Sequence, residues 1–296
     1  MELRVLEYFV VTATEKSMTK AAQRLHITQP TLSIQLRELE NEVDTILFKR
    51  TNRGIVLTQD GEYFFDKAKQ ILSLVSNTVS NLQSTDDITG ILALGGAETI
   101  QNQFLFDIVH SIQKDHPRIQ LSFTSANADH TMQNLDIGLI EFAVTMGNVD
   151  TRKYNTISLP YTDYWVLITR NDAPLANRSH ITNTDLYEEP LIISSQTNAD
   201  LFIASWVGKP LEEIHIAGYY NLVYNASVMA KAGIGSVLTV KGLINTEGTN
   251  LVTIPLSPKL DIGCHLLWKK NTALSPIGKL FLTQLQHHIK QYTENR

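Results

Sequence analysis

The hydrophobic period of this chain changes once, near residue 90, and that change limits what the chain can fold into. Before it, apolar residues recur at helical spacing: Leu6, Phe9, Val10 and Ala13, then Ala21, Ala22 and Leu25, then Leu32, Leu36, Leu39 and Val43. Each set gathers on one face of a helix. From Ile91 onward, short apolar runs alternate with helical patterns, which is the texture of an α/β fold with mainly parallel strands. A chain of 296 residues therefore divides into a small helical unit and a larger α/β unit.

Within the first unit, Ser17 can cap a second helix and Thr28 a third, separated by a two-residue break at His26 and Ile27. Pro30 is acceptable in the first turn of the third helix, where no helical N–H partner is needed. The outer face of that helix carries Gln29, Ser33 and Arg37, with Thr31 and Gln35 close by. A short helix, a tight turn and a longer helix with a polar leading half make a helix-turn-helix, whose second helix enters the DNA major groove. A solvated face on a three-helix bundle is the alternative. Phe48 through Leu57 reads as a hairpin with cations toward its tip and Gly54 where a positive φ is needed, a wing suited to phosphates or the minor groove.

At these residues the sequence resembles the winged helix-turn-helix of LysR-type transcriptional regulators. The resemblance runs from Phe9 to Phe65. It is carried by the unbroken stretch Ser17–Ser33 and then by Leu36, Leu39, Glu40, Leu47, Phe48, Arg50, Leu57, Thr58 and Gly61. It implies that Gln29, Pro30, Thr31 and Ser33 face base edges, that Arg37 reaches base or phosphate, and that Thr19, Lys20, Arg50 and Arg53 lie near the DNA backbone. Asp44 stands where the family usually has Gly, so a changed turn is expected there.

The net charge of −5 argues at first against a nucleic-acid partner, but its distribution reverses that inference. Residues 16–53 hold seven bases against four acids, and the acids fall toward the far end of the third helix. The acidic excess belongs to the second unit.

Thr58 can cap a further helix reaching about Ser84, along which Phe65, Ala68, Leu72, Val75, Val79 and Leu82 repeat at alternating spacings of three and four. This is a heptad seam narrow enough for a coiled-coil partner, the alternative being one amphipathic helix packed on its own domain. A dimer lets two winged helices read an inverted repeat. The polar stretch Thr85–Gly90 reads as a hinge. The domains expected are thus a winged helix at 1–58, a linker helix and hinge at 59–87, and a sensor at 88–296.

Strand candidates in the sensor are Ile91–Leu94, Ile119–Phe123, Phe142–Val144, Tyr164–Thr169, Leu191–Ile193, Ile214–Tyr219, Ser236–Thr239 and Ile262–Trp268. Ligands in such folds sit at carboxyl ends of strands, near helix N-termini. Two loops fit that rule, Gly95–Ile100 and Ser194–Asn198, each offering hydroxyls and N–H groups; simple helix capping is the other reading. The sensor is similar to the family's effector domain, which resembles periplasmic solute-binding proteins, around Gly138–Val144 and from Asn221 to Gly235. Glu141 fills the family's acidic position before a strand. The resemblance implies two subdomains, about 88–160 with 268–296 and about 161–267, the chain crossing near Leu159–Asp163 and returning near Gly263–Trp268. The cleft would be lined by Glu98, Thr99, Ile100, Asn127, Met146, Ser194, Ser195, Gln196, Thr197 and Leu222. If Glu98 points inward it disfavours a purely anionic effector; if it caps a helix it says nothing about one.

No Walker A sequence, nucleophile elbow or His/Cys cluster occurs, so neither an enzyme nor a metal site is expected, and no cofactor beyond a small-molecule effector. Cys264, the single cysteine, lies in an apolar run and reads as a buried small residue. One cysteine, no apolar run of about 18 residues and a start without signal-peptide layout favour the cytoplasm and no membrane. The expected partners are double-stranded operator DNA, a second copy or three more in a homodimer or homotetramer, RNA polymerase and the effector. A solute-binding protein, or an α/β enzyme with a DNA-binding appendage, are the competing functions.

Overall fold

The computed structural model describes residues 1–51, 54–82, 88–147, 149–195 and 199–294. It forms two compact units, Met1–Leu82 and Gln83–Arg296. The long helix expected as a separate linker therefore belongs, up to Leu82, with the first unit.

That unit consists of α1 (Leu3–Glu15), α2 (Met18–Arg24), α3 (Gln29–Glu42), a hairpin of β1 (Phe48–Thr51) and β2 (Gly54–Leu57), and α4 (Gln59–Leu82). The caps fall where the sequence puts them. The Ser17 side chain accepts from the Lys20 N–H, Thr28 from Thr31, and Thr58 from Gly61. The core gathers Leu6, Phe9, Ala21, Leu32, Leu36, Leu39, Leu47 and Ala68. Phe9 lies within it, its ring centroid 5.0 Å from those of Phe48 and Phe64.

Two contacts fix the wing. Glu40 accepts from the N–H groups of Leu47 (2.8 Å) and Phe48 (3.0 Å), tying the entry of β1 to α3. At the other side Ile55 N–H donates to the Lys16 carbonyl at the end of α1 (3.2 Å). Gly54, at φ 123°, passes so close that a Cβ would stand 2.6 Å from that same oxygen. At the turn where a change is expected, Asp44 takes the left-handed conformation, at φ 50°, a region that favours glycine.

The second unit runs β3 (Gly90–Gly96), α5 (Asn102–Asp115), β4 (Ile119–Ser125), α6 (Ala128–Asp136), β5 (Phe142–Met146), β6 (Tyr154–Arg170), β7 (Leu191–Ser194), α7 (Ala199–Val207), β8 (Ile216–Tyr220), α8 (Val223–Lys231), β9 (Ser236–Val240), β10 (Leu251–Pro255), β11 (Asp261–Lys269) and α9 (Pro276–Glu294). The strand order is β4-β3-β5-β11-β6-β9-β7-β8, with β10 also on β6. The sheet is mixed, not mainly parallel. β3 pairs parallel with β4 and β5, and β7 with β8 and β9, but every pairing of β6 and β11 is antiparallel.

Those two strands are the crossings. β6 pairs with β11 along Tyr154–Ser158 and Thr162–Tyr164, then continues against β9 and β10 from Trp165 to Arg170. β11 carries a register shift between Gly263 and His265. Separate cores lie on either side, one built on Leu94, Leu105, Phe142, Leu266 and Phe281, the other on Leu167, Ile193, Ile203, Leu238 and Ile254. α9 returns to the first of them, its start held by Glu141, which accepts from the N–H and hydroxyl of Ser275.

Candidate DNA-reading face and inter-subdomain cleft

With Leu32, Leu36 and Leu39 turned inward, α3 leaves Gln29, Pro30, Thr31 and Arg37 exposed, while Ser33 is half-buried. The Thr31 hydroxyl bonds that of Thr28 (2.8 Å), and the Gln35 amide donates to Glu38 (2.8 Å). Thr19 and Lys20 are exposed at the start of α2. Arg24, on the same helix, is engaged by Glu15 at 2.7 Å. Arg50 stands in β1 opposite Ile55, but its side chain, like the whole of Arg53, lies outside the described residues. One side chain of this face was not anticipated: Ile34 is 53% exposed. Its signal was present, since an isoleucine stands off the Leu32–Leu36–Leu39 stripe.

The α4 seam divides between two surfaces. Ala68 is buried in the first unit's core, and Phe65 and Leu72 pack against it, so these three are used by their own domain. Beyond them Val75 is half-buried, while Val79 and Leu82 are exposed. Ile71 and Leu74, outside the seam as spaced in the sequence, are also exposed, and with Val75, Thr78 and Leu82 they form a second apolar stripe.

In the second unit, the loop after β3 crosses between subdomains. Glu98 is the helix-capping alternative, but the helix is the distant α8: its Oε2 accepts from the N–H of Val223 at 2.9 Å. Ile100 lies against Gly242, where a Cβ would meet its Cγ2 at 2.7 Å. Thr99 is buried and donates its hydroxyl to the Asp163 carboxylate on β6.

Within this loop Ala97 N–H donates to the Val144 carbonyl, and the N–H groups that follow the loop turn back onto it. Gln101 N–H donates to Thr99 Oγ1, and those of Asn102, Gln103 and Phe104 go to the carbonyls of Thr99, Ile100 and Gln101. Asn127 accepts from His130 N–H (2.9 Å), capping α6. Ser194 is buried, and Ser195 gives both its N–H and its hydroxyl to the Tyr220 carbonyl. Leu222 is half-buried ahead of α8, and Met146 packs against the cores of both subdomains. Gln196 and Thr197 lie outside the described residues.

Two groups there escaped sequence reasoning. Asp163, 3% exposed, is held above the ordinary carboxylate range by burial, a rise opposed by the Thr99 hydroxyl and the nearby Gln101 amide. That amide is itself buried, and neither its nitrogen nor its oxygen completes a hydrogen bond among the described residues. Neither lay in a recognisable motif, since only the crossing of β6 beneath the β3 loop brings them together. Cys264, also buried, has its thiol pushed up to about 12 by burial, so it stays protonated and unreactive near neutrality. Among the described residues no helix is long and apolar enough to cross a membrane.

Known proteins match along the whole chain. Residues 3–62 match the bacterial regulatory helix-turn-helix protein, lysR family, and residues 85–290 match the LysR substrate binding domain. The chain is 32% identical over 200 residues to the HTH-type transcriptional regulator AlsR of Bacillus subtilis (strain 168), an overlap of 65% of this chain and 64% of that protein. It is 26% identical over 301 residues to the uncharacterized HTH-type transcriptional regulator YybE of the same organism, covering 98% of this chain and 100% of the relative. Among solved structures, full-length CbnR complexed with its target DNA superposes with a TM-score of 0.74 at 18% identity, over 99% of this chain and 100% of that one. HinK from Pseudomonas aeruginosa gives 0.57 at 21% identity, over 97% and 98%. With its winged helix-turn-helix and its two-subdomain sensor both matched, the chain belongs to the LysR family of DNA-binding transcription regulators.

Proposed function

We propose that this regulator's hold on its operator is set by a small molecule taken up between the two sensor subdomains. The single observation that carries this reading is that the β3 loop bridges them: Glu98 reaches α8, Ile100 rests on Gly242 and Thr99 on the crossing strand. Any ligand inserted there must break or replace these contacts, and so shifts the balance between closed and open sensor. Two carboxylates, Glu98 and Asp163, stand along this route, which suits hydrogen-bond donors and cations better than a bare carboxylate.

The working assembly is a homodimer or homotetramer on an inverted repeat, supported by the apolar stripe that α4 leaves exposed. Contact with RNA polymerase and a cytoplasmic location complete the reading. A thermal-shift screen of metabolites on the full chain tests it, since a ligand at 100 times its Kd adds about 2.7 kcal/mol to stability. The expected result is a metabolite that raises the melting temperature of the wild type, fails to do so after Glu98→Ala, and alters operator footprints. A stabilising ligand whose effect and affinity are unchanged in Glu98→Ala and Asp163→Asn would place the site elsewhere.

A further inference from the structure

Ile34 stands on the face of α3 that turns away from the core, outside the hydrophobic cluster of its unit and 53% exposed. At 3.6 residues per turn its direction is nearly opposite to that of Leu32, Leu36 and Leu39. Pro30 lies one turn before it, and Arg37 and Glu38 one turn after, all exposed. The branched hydrocarbon thus sits mid-face, where the fold gains nothing from burying it.

Its chemistry narrows what it can meet. A butyl side chain neither donates nor accepts a hydrogen bond, so phosphates, base amides and base carbonyls are not its partners. In the major groove the apolar group on offer to a side chain is the C5 methyl of thymine. The leading half of the second helix of a helix-turn-helix is the part that approaches base edges, and Ile34 is the sixth residue of α3, which begins at Gln29.

We propose that Ile34 reads a thymine methyl in each operator half-site, lying between the bases addressed from the Gln29–Thr31 turn and the base or phosphate reached by Arg37. The contact adds discrimination at one position where the polar residues of the helix give none. It depends on DNA reading by α3 and is independent of any effector.

The test uses the full chain and a duplex recovered by selection from a random pool. Each thymine of a half-site is replaced in turn by deoxyuridine, which pairs with adenine identically and lacks only the methyl. Wild type should lose about fourfold in affinity at one position, the factor expected for one buried methyl-sized group. Ile34→Ala should bind both duplexes equally, Ile34→Val should keep most of the wild-type penalty, and selection with Ile34→Ala should lose the preference for thymine at that position alone. Equal penalties in wild type and Ile34→Ala at every thymine, or no penalty anywhere in wild type, overturns the proposal. Unchanged melting temperatures keep the comparison free of folding effects, as an exposed position should.

Discussion

Asp163 is a carboxyl group buried on β6 with the Thr99 hydroxyl against it and, among the described residues, no cation contributing to its environment. Because burial raises it above its ordinary value, the folded chain holds this proton more tightly than the unfolded chain does. Its contribution to stability is therefore full below the ordinary carboxylate range and is lost as pH rises through the raised, folded value. Asp163→Asn removes the charge while leaving an acceptor for Thr99. The melting temperature at pH 7 should rise by roughly 2–4 °C for each kcal/mol recovered, and the gap between pH 5 and pH 8 should shrink. Calorimetry at those two pH values checks both; a fall at pH 7 would show the carboxylate to be stabilising. Sequence gave no route to this residue. Caps such as Ser17, Thr28 and Thr58 were readable because a cap and its target are three residues apart, whereas Thr99 and Asp163 are 64 apart and meet only through the sheet.

At the scale of elements, α3 and the wing are joined through one carboxylate. Glu40 belongs to the resemblance as a bare letter, and its work is to accept two N–H groups at the entry of β1. Glu40→Ala leaves both donors without that partner. It should cost about 1–3 kcal/mol in unfolding free energy, read from urea titrations, and lower DNA affinity through a loosened wing. Glu40→Gln, which keeps an acceptor, should recover most of the loss.

The α4 seam teaches a different lesson. A heptad spacing cannot say which residues face a partner and which face home, so Phe65, Ala68 and Leu72 fit the pattern yet serve the first unit's core. The free stripe is rotated from it, through Ile71 and Leu74. The double change Ile71→Glu and Leu74→Glu should therefore shift the sedimentation of the full chain toward the monomer with its melting behaviour little changed, while an unaltered assembly would assign the stripe to solvent. β6 shows the same limit in strands. Only its apolar half, Tyr164–Thr169, was readable, because Asn155, Thr156, Ser158 and Pro160 break the alternation of the other half.

For the whole molecule, charge is arranged so that average and surface disagree. Residues 1–58 carry eight bases and seven acids, but three of the acids, Glu38, Glu40 and Glu42, fall in the second half of α3, while Lys20 and Arg37 are exposed on α2 and α3. Lys20→Ala should weaken binding to all DNA sequences alike and make the log–log salt dependence shallower by about 0.9, as measured by anisotropy across a salt series. A change in base preference would instead put Lys20 among the base readers. The two-part organisation was visible in the switch of hydrophobic period, since periodicity is a local property. The mixed sheet was not, since strand direction depends on where a chain returns.

The antiparallel crossing by β6 and β11 also bears on how the two halves of the second unit can move against each other. Two hydrogen-bonded antiparallel strands joining the halves oppose stretching and sliding, which leaves twist about their common axis as the remaining freedom, with the pairing interrupted at the register shift beside Gly263. The halves are thus coupled like the ends of a torsion bar. On the function proposed above, a molecule held at the β3 loop would act off that axis, and its leverage would grow with how far out along the cleft it binds.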